Sequence, residues 1–375
     1  MATPAMTYDA CFLFRGDVRY DTRLSNMVQT FVRAGRSCLI IQGASRDERF
    51  ETHGARVESF ENTKRGPSGF LEYWRKSRTR ANRVHAKTWW AAELYSLPVV
   101  VRRARITAGR SVYDAREIFA HLGDLHDRPM TQMFWRWLER RYIHRSDAVV
   151  TTGAMDRDFL KDCYHITPPF VVRNLPRYRE VARNFRLYDA LGIPRSMPIC
   201  LYSGGLQDGR GIRTMLSMAS QIPGAAFVLL GSGPLEDRVR QSMHSCSNIY
   251  HHPAVPNEQV IDFAASAAVG FALIEPISLS YRYALPNKLF EYIMAGTPVL
   301  VTNLPQMKKI VDQYGVGLTV SPGSLPGAVQ QARHLLSDSA LHRQCAANCH
   351  IAAQDLCWDR EEESFLPFAR ATGIL

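Results

Sequence analysis

ALPNKLFEYIMAGTP, residues Ala284 to Pro298, contains a helix start, an amphipathic turn pattern and a helix stop. Pro286 suits a helix start, because the N–H it lacks is one the helix would not use. Leu289, Phe290 and Ile293 recur at the spacing of one buried helix face, and Gly296-Thr297-Pro298 ends it. Lys288 and Glu291 stand three apart and so share a face, with Asn287 beside them at the first turn. A helix N-terminus carrying a lysine attracts phosphate. A carboxylate one turn further on can accept hydrogen bonds from the two hydroxyls of a ribose. Diphosphate and ribose side by side describe a nucleotide site.

Upstream, residues 203–213 read SGGLQDGRGIR after an apolar run at 199–203. Gly204 and Gly205 let the backbone approach a phosphate closely, and the following helix turns its N–H groups toward it. Arg210 offers a planar fork for two phosphate oxygens. The loop lacks the Gly-Lys-Ser/Thr ending of a P-loop and the full G-x-G-x-x-G spacing. Two cations from separate loops, Arg210 and Lys288, point to one diphosphate.

The second half alternates strands and helices. Strands are expected near 199–203, 227–230, 248–251, 268–274, 298–302 and 317–320, with helices from about 212, 257 and 325. The first half starts similarly, with strands at 10–14 and 38–42 around a helix at 24–34, then strands at 57–60, 112–113 and 147–151. A helix is expected over 130–144, with Phe134, Trp137 and Leu138 on its buried side. Residues 63–110 are basic and aromatic, with helical spacing and poor punctuation. Two doubly wound α/β units follow from this pattern, with ligands at the carboxyl ends of the strands.

The segment around Lys288 and Glu291, with the loop at Arg210-Gly211, resembles the donor site of the retaining GT-B glycosyltransferases of the family-4 type. The resemblance implies an α/β GT-B fold, two facing Rossmann-like domains with a cleft between them. It implies domains at 1–180 (acceptor side) and 181–350 (donor side), with a helical segment at 351–375 packing back toward the first. Arg210 and Lys288 would hold the donor diphosphate, and Glu291 the ribose. Gly204, Gly205, Gly231, Gly233, Val255, Asn287 and Leu289 would shape the nucleotide pocket, with the turn at 231–234 and the segment 252–256 walling the base. Family members often carry a carboxylate eight residues before the ribose glutamate. Tyr283 stands there, so Tyr281, Arg282 and Tyr283 become candidates for the sugar and phosphate region.

In the first half, Gly16 matches a family loop that approaches the donor, and Asp114-Ala115-Arg116-Glu117 matches a segment facing the cleft. Arg116 replaces the common histidine. It cannot act as a general base, but it can bind an anionic acceptor or steady a leaving diphosphate. His121 and His126 lie downstream. No metal and no cofactor are expected, the nucleotide sugar being a co-substrate.

Composition agrees with a globular protein, 46% hydrophobic and 22% charged. No apolar run reaches the roughly 20 residues of a membrane span, and the first residues lack a signal-peptide pattern. Eight scattered cysteines without a C-x-x-C pair imply reduced thiols and a cytoplasmic protein. Residues 1–180 hold 31 Lys and Arg against 20 Asp and Glu, so the whole net charge of +11 lies there. That surplus suits an anionic partner such as the inner membrane face, with Trp74, Trp89 and Trp90 in the stretch 71–105 resting near headgroups. Nucleic acid is not the expected partner. The expected activity is transfer of a sugar from a nucleoside-diphosphate sugar, UDP-linked, to a lipid-linked or cell-surface polysaccharide acceptor. The alternatives are an inactive GT-B-like module that binds an anionic glycan or lipid, and a nucleotide-sugar epimerase.

Overall fold

The run Ala10–Phe14 is buried nearly throughout, as expected of a strand covered on both faces. In the computed structural model, which describes residues 6–64, 66–125 and 127–375, it belongs to β1 (Met6–Phe14). The chain divides into two units, one running to Asn174 and regaining Glu361–Leu375, the other Leu175–Arg360. The division falls a few residues before 180. The last fifteen residues cluster with the first unit, whereas 351–360 belong to the second.

In the first unit, α1 (Thr22–Arg33) leads to β2 (Cys38–Ala44), β3 (Arg49–Thr52) and β4 (Ala55–Glu61). Then come α2 (Gly66–Ala81), β5 (Val84–Ala91), α3 (Leu97–Thr107), β6 (Arg110–Ala115), α4 (Pro129–Ile143), β7 (Ala148–Thr151), α5 (Ala154–Tyr164) and β8 (Phe170–Val171). The sheet order is β3-β4-β2-β1-β5-β6-β7-β8. All neighbours are parallel except the β3–β4 edge, a hairpin that the sequence pattern did not reveal. Cys11, Leu13, Trp89 and Tyr113 face a core shared with α2, α3, α4 and α5. On the opposite face Phe12 meets Phe31 of α1 edge-on at 5.4 Å, and Trp90 meets Phe365 at 6.2 Å.

Two expectations fail here. Trp89 and Trp90 are not near any headgroup: they lie on β5, a central strand, and both are fully buried. Trp74 is half-buried and donates to the Tyr95 carbonyl. Adjacent large residues mask strand alternation when both faces of the sheet are covered. On α4 the buried residues are Trp135, Leu138, Glu139 and Ile143, while Phe134 and Trp137 are exposed. That helix is apolar on two faces, so its pattern alone did not select the inner one.

The second unit has α6 (Arg186–Leu191), β9 (Ile199–Ser203), α7 (Ile212–Ala219), β10 (Ala226–Leu230), α8 (Glu236–Ser245), β11 (Ile249–His252) and α9 (Asn257–Ala264). It continues with β12 (Val269–Ala272), α10 (Leu279–Arg282), α11 (Asn287–Met294), β13 (Val299–Thr302), α12 (Pro305–Tyr314), β14 (Gly317–Val320), α13 (Leu325–Ser337) and α14 (Ser339–Asp355). A last helix, α15, spans Trp358–Ala371. The sheet is wholly parallel, in the order β11-β10-β9-β12-β13-β14. Strand order reverses between β9 and β12, and such switch points open a crevice at the carboxyl ends of the strands. All eight cysteines are free thiols. Among the described residues no helix is long and apolar enough to cross a membrane.

Candidate nucleotide-binding site

The crevice of the second unit is built from glycine backbones. Gly204 follows β9 at φ +123, and Gly231 follows β10 at φ +153. A methyl group on Gly231 would overlap the Gly204 carbonyl, and one on Gly233 would press on the Leu206 carbonyl. The two loops are stitched by Gly204 N–H to Leu230 O at 2.9 Å and Leu206 N–H to Ser232 O at 3.0 Å. The third loop joins through Gly231 N–H to His252 O at 2.9 Å, which brings the segment containing Val255 to the same edge. Val255 packs half-buried against the core. Gly205 is exposed and its carbonyl accepts from Tyr202 Oη at 2.7 Å.

Helix α11 supplies the charged side. It starts at Asn287 with Pro286 as the N-cap, so the proline stands one place outside the first turn. Tyr292 anchors the helix. Its hydroxyl accepts from Ser203 N–H at 2.9 Å and lies 3.2 Å from the Leu201 carbonyl, and its ring covers Gly270, which has no side chain to obstruct it. The helix is thereby pinned across the switch point. Leu289 is fully buried and Asn287 is exposed at the helix start.

Lys288 is buried, with 6% exposure, and its ammonium lies over the Tyr202 ring at 3.3 Å from the centre. A β-carbon on Gly204 would be 3.5 Å from Lys288 Nζ, so the ammonium is beside the glycine loop. Burial holds its pKa well below the usual lysine range; nearby Arg210 lowers it further and Glu291 opposes this. Burial pushes the half-buried Glu291 up to about 7, and Lys288 pulls it back. Arg210 is stacked on Tyr281, 4.7 Å from the ring centre, and its Nε donates to the Tyr281 hydroxyl at 3.1 Å. Two cations and one carboxyl thus converge at the switch point, charges that an incoming dianion would balance.

Of the sugar-region candidates, Tyr281 is buried as the support of Arg210, Arg282 is exposed, and Tyr283 is half-buried with its carbonyl accepting from Gln306. Tyr202 and Tyr292 were not singled out in the sequence. Both look like ordinary core tyrosines, and only their contacts reveal that they seat Lys288 and α11.

Gly16 and Arg116 belong to the first unit. Gly16 follows β1, and a β-carbon there would collide with the Phe14 ring. Arg116 lies across that ring, 5.5 Å from its centre. Its guanidinium pairs with Asp21 at 2.5 Å and Asp114 at 3.3 Å. Asp21 caps α1 by accepting from Leu24 N–H at 2.6 Å. Asp114 is held by a fully buried Arg23, whose Nη1 also donates to Val172 O. Arg116 is therefore a strut among acids. Beside it Glu93, missed in the sequence, has an oxygen with no partner among the described residues, and burial pushes its carboxyl up to about 8. His121 is half-buried against Arg136 at 3.0 Å; His126 lies outside the described residues.

Residues 197–338, which hold all the second-unit candidates, match the family of group 1 glycosyl transferases. Over 172 residues the chain is 24% identical to 2-deoxystreptamine N-acetyl-D-glucosaminyltransferase of Streptomyces fradiae, covering 42% of this chain and 38% of that relative's length. The solved sucrose-phosphate synthase of Thermosynechococcus elongatus superposes with a TM-score of 0.78 at 14% identity, over 97% of this chain and 98% of that one. Anabaena HepE in complex with UDP and glucose superposes at 0.76 with 15% identity, over 97% and 99%. Residues 197–338 are thus similar to the group 1 glycosyl transferases, and the chain as a whole has the GT-B fold.

Proposed function

We propose that this chain is a glycosyltransferase that moves a sugar from a UDP-sugar to a lipid-linked or cell-surface polysaccharide acceptor, with retention of configuration and without a bound metal. The observation that carries the reading is the convergence of Lys288, Arg210 and Glu291 on the glycine loop at the switch point of the second sheet. Lys288 and Arg210 take the charge that builds on the leaving diphosphate, and Glu291 accepts hydrogen bonds from the ribose hydroxyls. The sugar C1–O bond loosens toward an oxocarbenium-like state, and the leaving phosphate takes the acceptor's proton on the same face. The curated relative is a hexosaminyl transferase by name and HepE was solved with UDP, which support a UDP-sugar donor.

The acceptor belongs to the basic first unit in this reading. Arg116 acts there as a positioning residue, fixing Asp21 and the loop after β6. A cytoplasmic enzyme working at the inner membrane face accounts for the cationic surplus of residues 1–180.

A thermal-shift screen with UDP, GDP, ADP, CMP and NADH, run without metal, tests the donor. A ligand at 100 times its Kd stabilises by about 2.7 kcal/mol. Stabilisation by UDP that disappears in Lys288→Ala is the expected result, and a response to NADH alone would reject the reading. Transfer that persists in chelator is expected; loss restored by Mg²⁺ would reject the metal-free mechanism.

A further inference from the structure

We propose that the outer face of α4 is a docking surface for an anionic lipid bilayer. This rests on the membrane-face reading of the proposed function and gives it a surface, none of whose residues lies in the proposed donor site. Met130, Met133, Phe134 and Trp137 are 74%, 61%, 42% and 59% exposed. Their spacing places them on one stripe of the helix. The opposite stripe, Trp135, Leu138 and Ile143, is already buried in the core of the first unit. Phe134 meets Trp135 edge-on at 5.0 Å and Trp137 at 6.2 Å, yet the four side chains of the outer stripe stay largely exposed, and a surface cluster of this kind marks an interaction site.

Charge selects the occupant. The exposed cations on and just beyond the helix are Arg136, Arg140, Arg141 and Arg145. The one acid within α4, Glu139, is fully buried between the hydroxyls of Tyr113 and Tyr164. The outward side thus combines large apolar groups with arginines and presents no carboxylate of the helix. Aromatic and thioether side chains can enter the acyl boundary while arginines extend to phosphate headgroups. The adjacent α3 exposes Arg102, Arg105 and Ile106, which extends the same character. The tryptophan that seats the protein is then Trp137 on α4, and not Trp89 or Trp90 of β5, which are sealed in the core.

The test is co-sedimentation of the full chain with vesicles of phosphatidylcholine alone and of phosphatidylcholine with phosphatidylglycerol. Binding to the anionic vesicles is expected, at least about tenfold tighter than to the neutral ones, and weakening with salt. Phe134→Ser with Trp137→Ser should lower that affinity at least about tenfold, and Arg140→Glu with Arg141→Glu should abolish the preference for anionic lipid. The thermal shift produced by UDP should be unchanged in both variants, which separates lost docking from lost folding or a lost donor site. Absence of vesicle binding, or binding indifferent to both variants, would overturn the proposal. Sedimentation velocity showing a dimer that Trp137→Ser disperses, with no vesicle binding, would assign the stripe to a second copy of this chain instead.

Discussion

The ammonium of Lys288 lies 3.3 Å from the centre of the Tyr202 ring, in a buried position where a β-carbon on Gly204 would come within 3.5 Å of it. The ring face offers the ammonium partial negative charge. Burial and Arg210 keep the lysine pKa low in the free protein. A diphosphate arriving at this point raises it again, so binding favours the protonated lysine. Titration calorimetry of UDP at a series of pH values, in buffers of different ionisation heat, should show a proton-uptake contribution in the wild type that is missing in Lys288→Met. In the transfer reaction the same substitution should lower kcat by about 100-fold or more. Unchanged kcat with only a raised KM would confine Lys288 to ground-state binding.

Glu291 titrates in the opposite sense. Its carboxyl is raised to about 7 by burial, so near neutrality it is partly protonated. Only the ionised form accepts from both ribose hydroxyls, so donor affinity should increase as pH rises through about 7. Glu291→Gln should remove that increase and weaken donor binding about tenfold or more. A pH profile of Kd that is the same in both proteins would break the ribose assignment.

Gly231 has a positive φ and no room for a side chain against the Gly204 carbonyl. Gly231→Ala should force the two loops apart, cost about 1–3 kcal/mol in stability, and weaken UDP binding. Gly224→Ala is the control, because open space surrounds that position. Thermal melts with and without UDP compare the two. Equal behaviour would show that the loops tolerate separation.

The pair Arg23–Asp114 is buried to 1% on both sides at 2.7 Å. Removing one partner strands a buried charge, so Arg23→Met should destabilise by roughly 3–5 kcal/mol. Denaturant unfolding measures this, and a loss below about 1 kcal/mol would mean that Arg116 alone satisfies Asp114.

Glu139 links stability to pH in the first unit. Burial raises its carboxyl to about 7, against the hydrogen bonds from Tyr113 and Tyr164. Between its unfolded value and 7 the native state keeps a proton that the unfolded chain has released. Its contribution is complete at acidic pH and fades as pH rises through about 7, on the order of 3 kcal/mol in total. Glu139→Gln should flatten the fall in unfolding free energy between pH 5 and 7.5. An unaltered slope would move that dependence to other groups.

Lys288, Glu291 and the glycines of the loops after β9 and β10 were legible because their types and spacing are local. A helix puts positions three apart on one face whatever surrounds it, and a glycine at a strand end signals a close approach. The alternation of apolar runs and amphipathic helices likewise specified parallel α/β units. Tyr202 and Tyr292 were not legible. A tyrosine in an apolar run looks the same whether its ring seats a lysine or fills a core, and their partners are about 90 residues away. The same limit hid the Arg23–Asp114 pair, 91 residues apart, and the pairing of Arg116 with Asp21, 95 residues apart.

For Trp89, Trp90 and α4 the ambiguity was one of sidedness. Hydrophobic amino acids determine that a segment prefers an apolar environment, and composition placed the cationic surplus in the first half. Which neighbour supplies that environment is fixed only when sheet and helices pack. β5 took the sheet centre and buried both tryptophans. α4 buried Trp135 and left Trp137 outside, because a helix wedged against a sheet can present one face to it at a time.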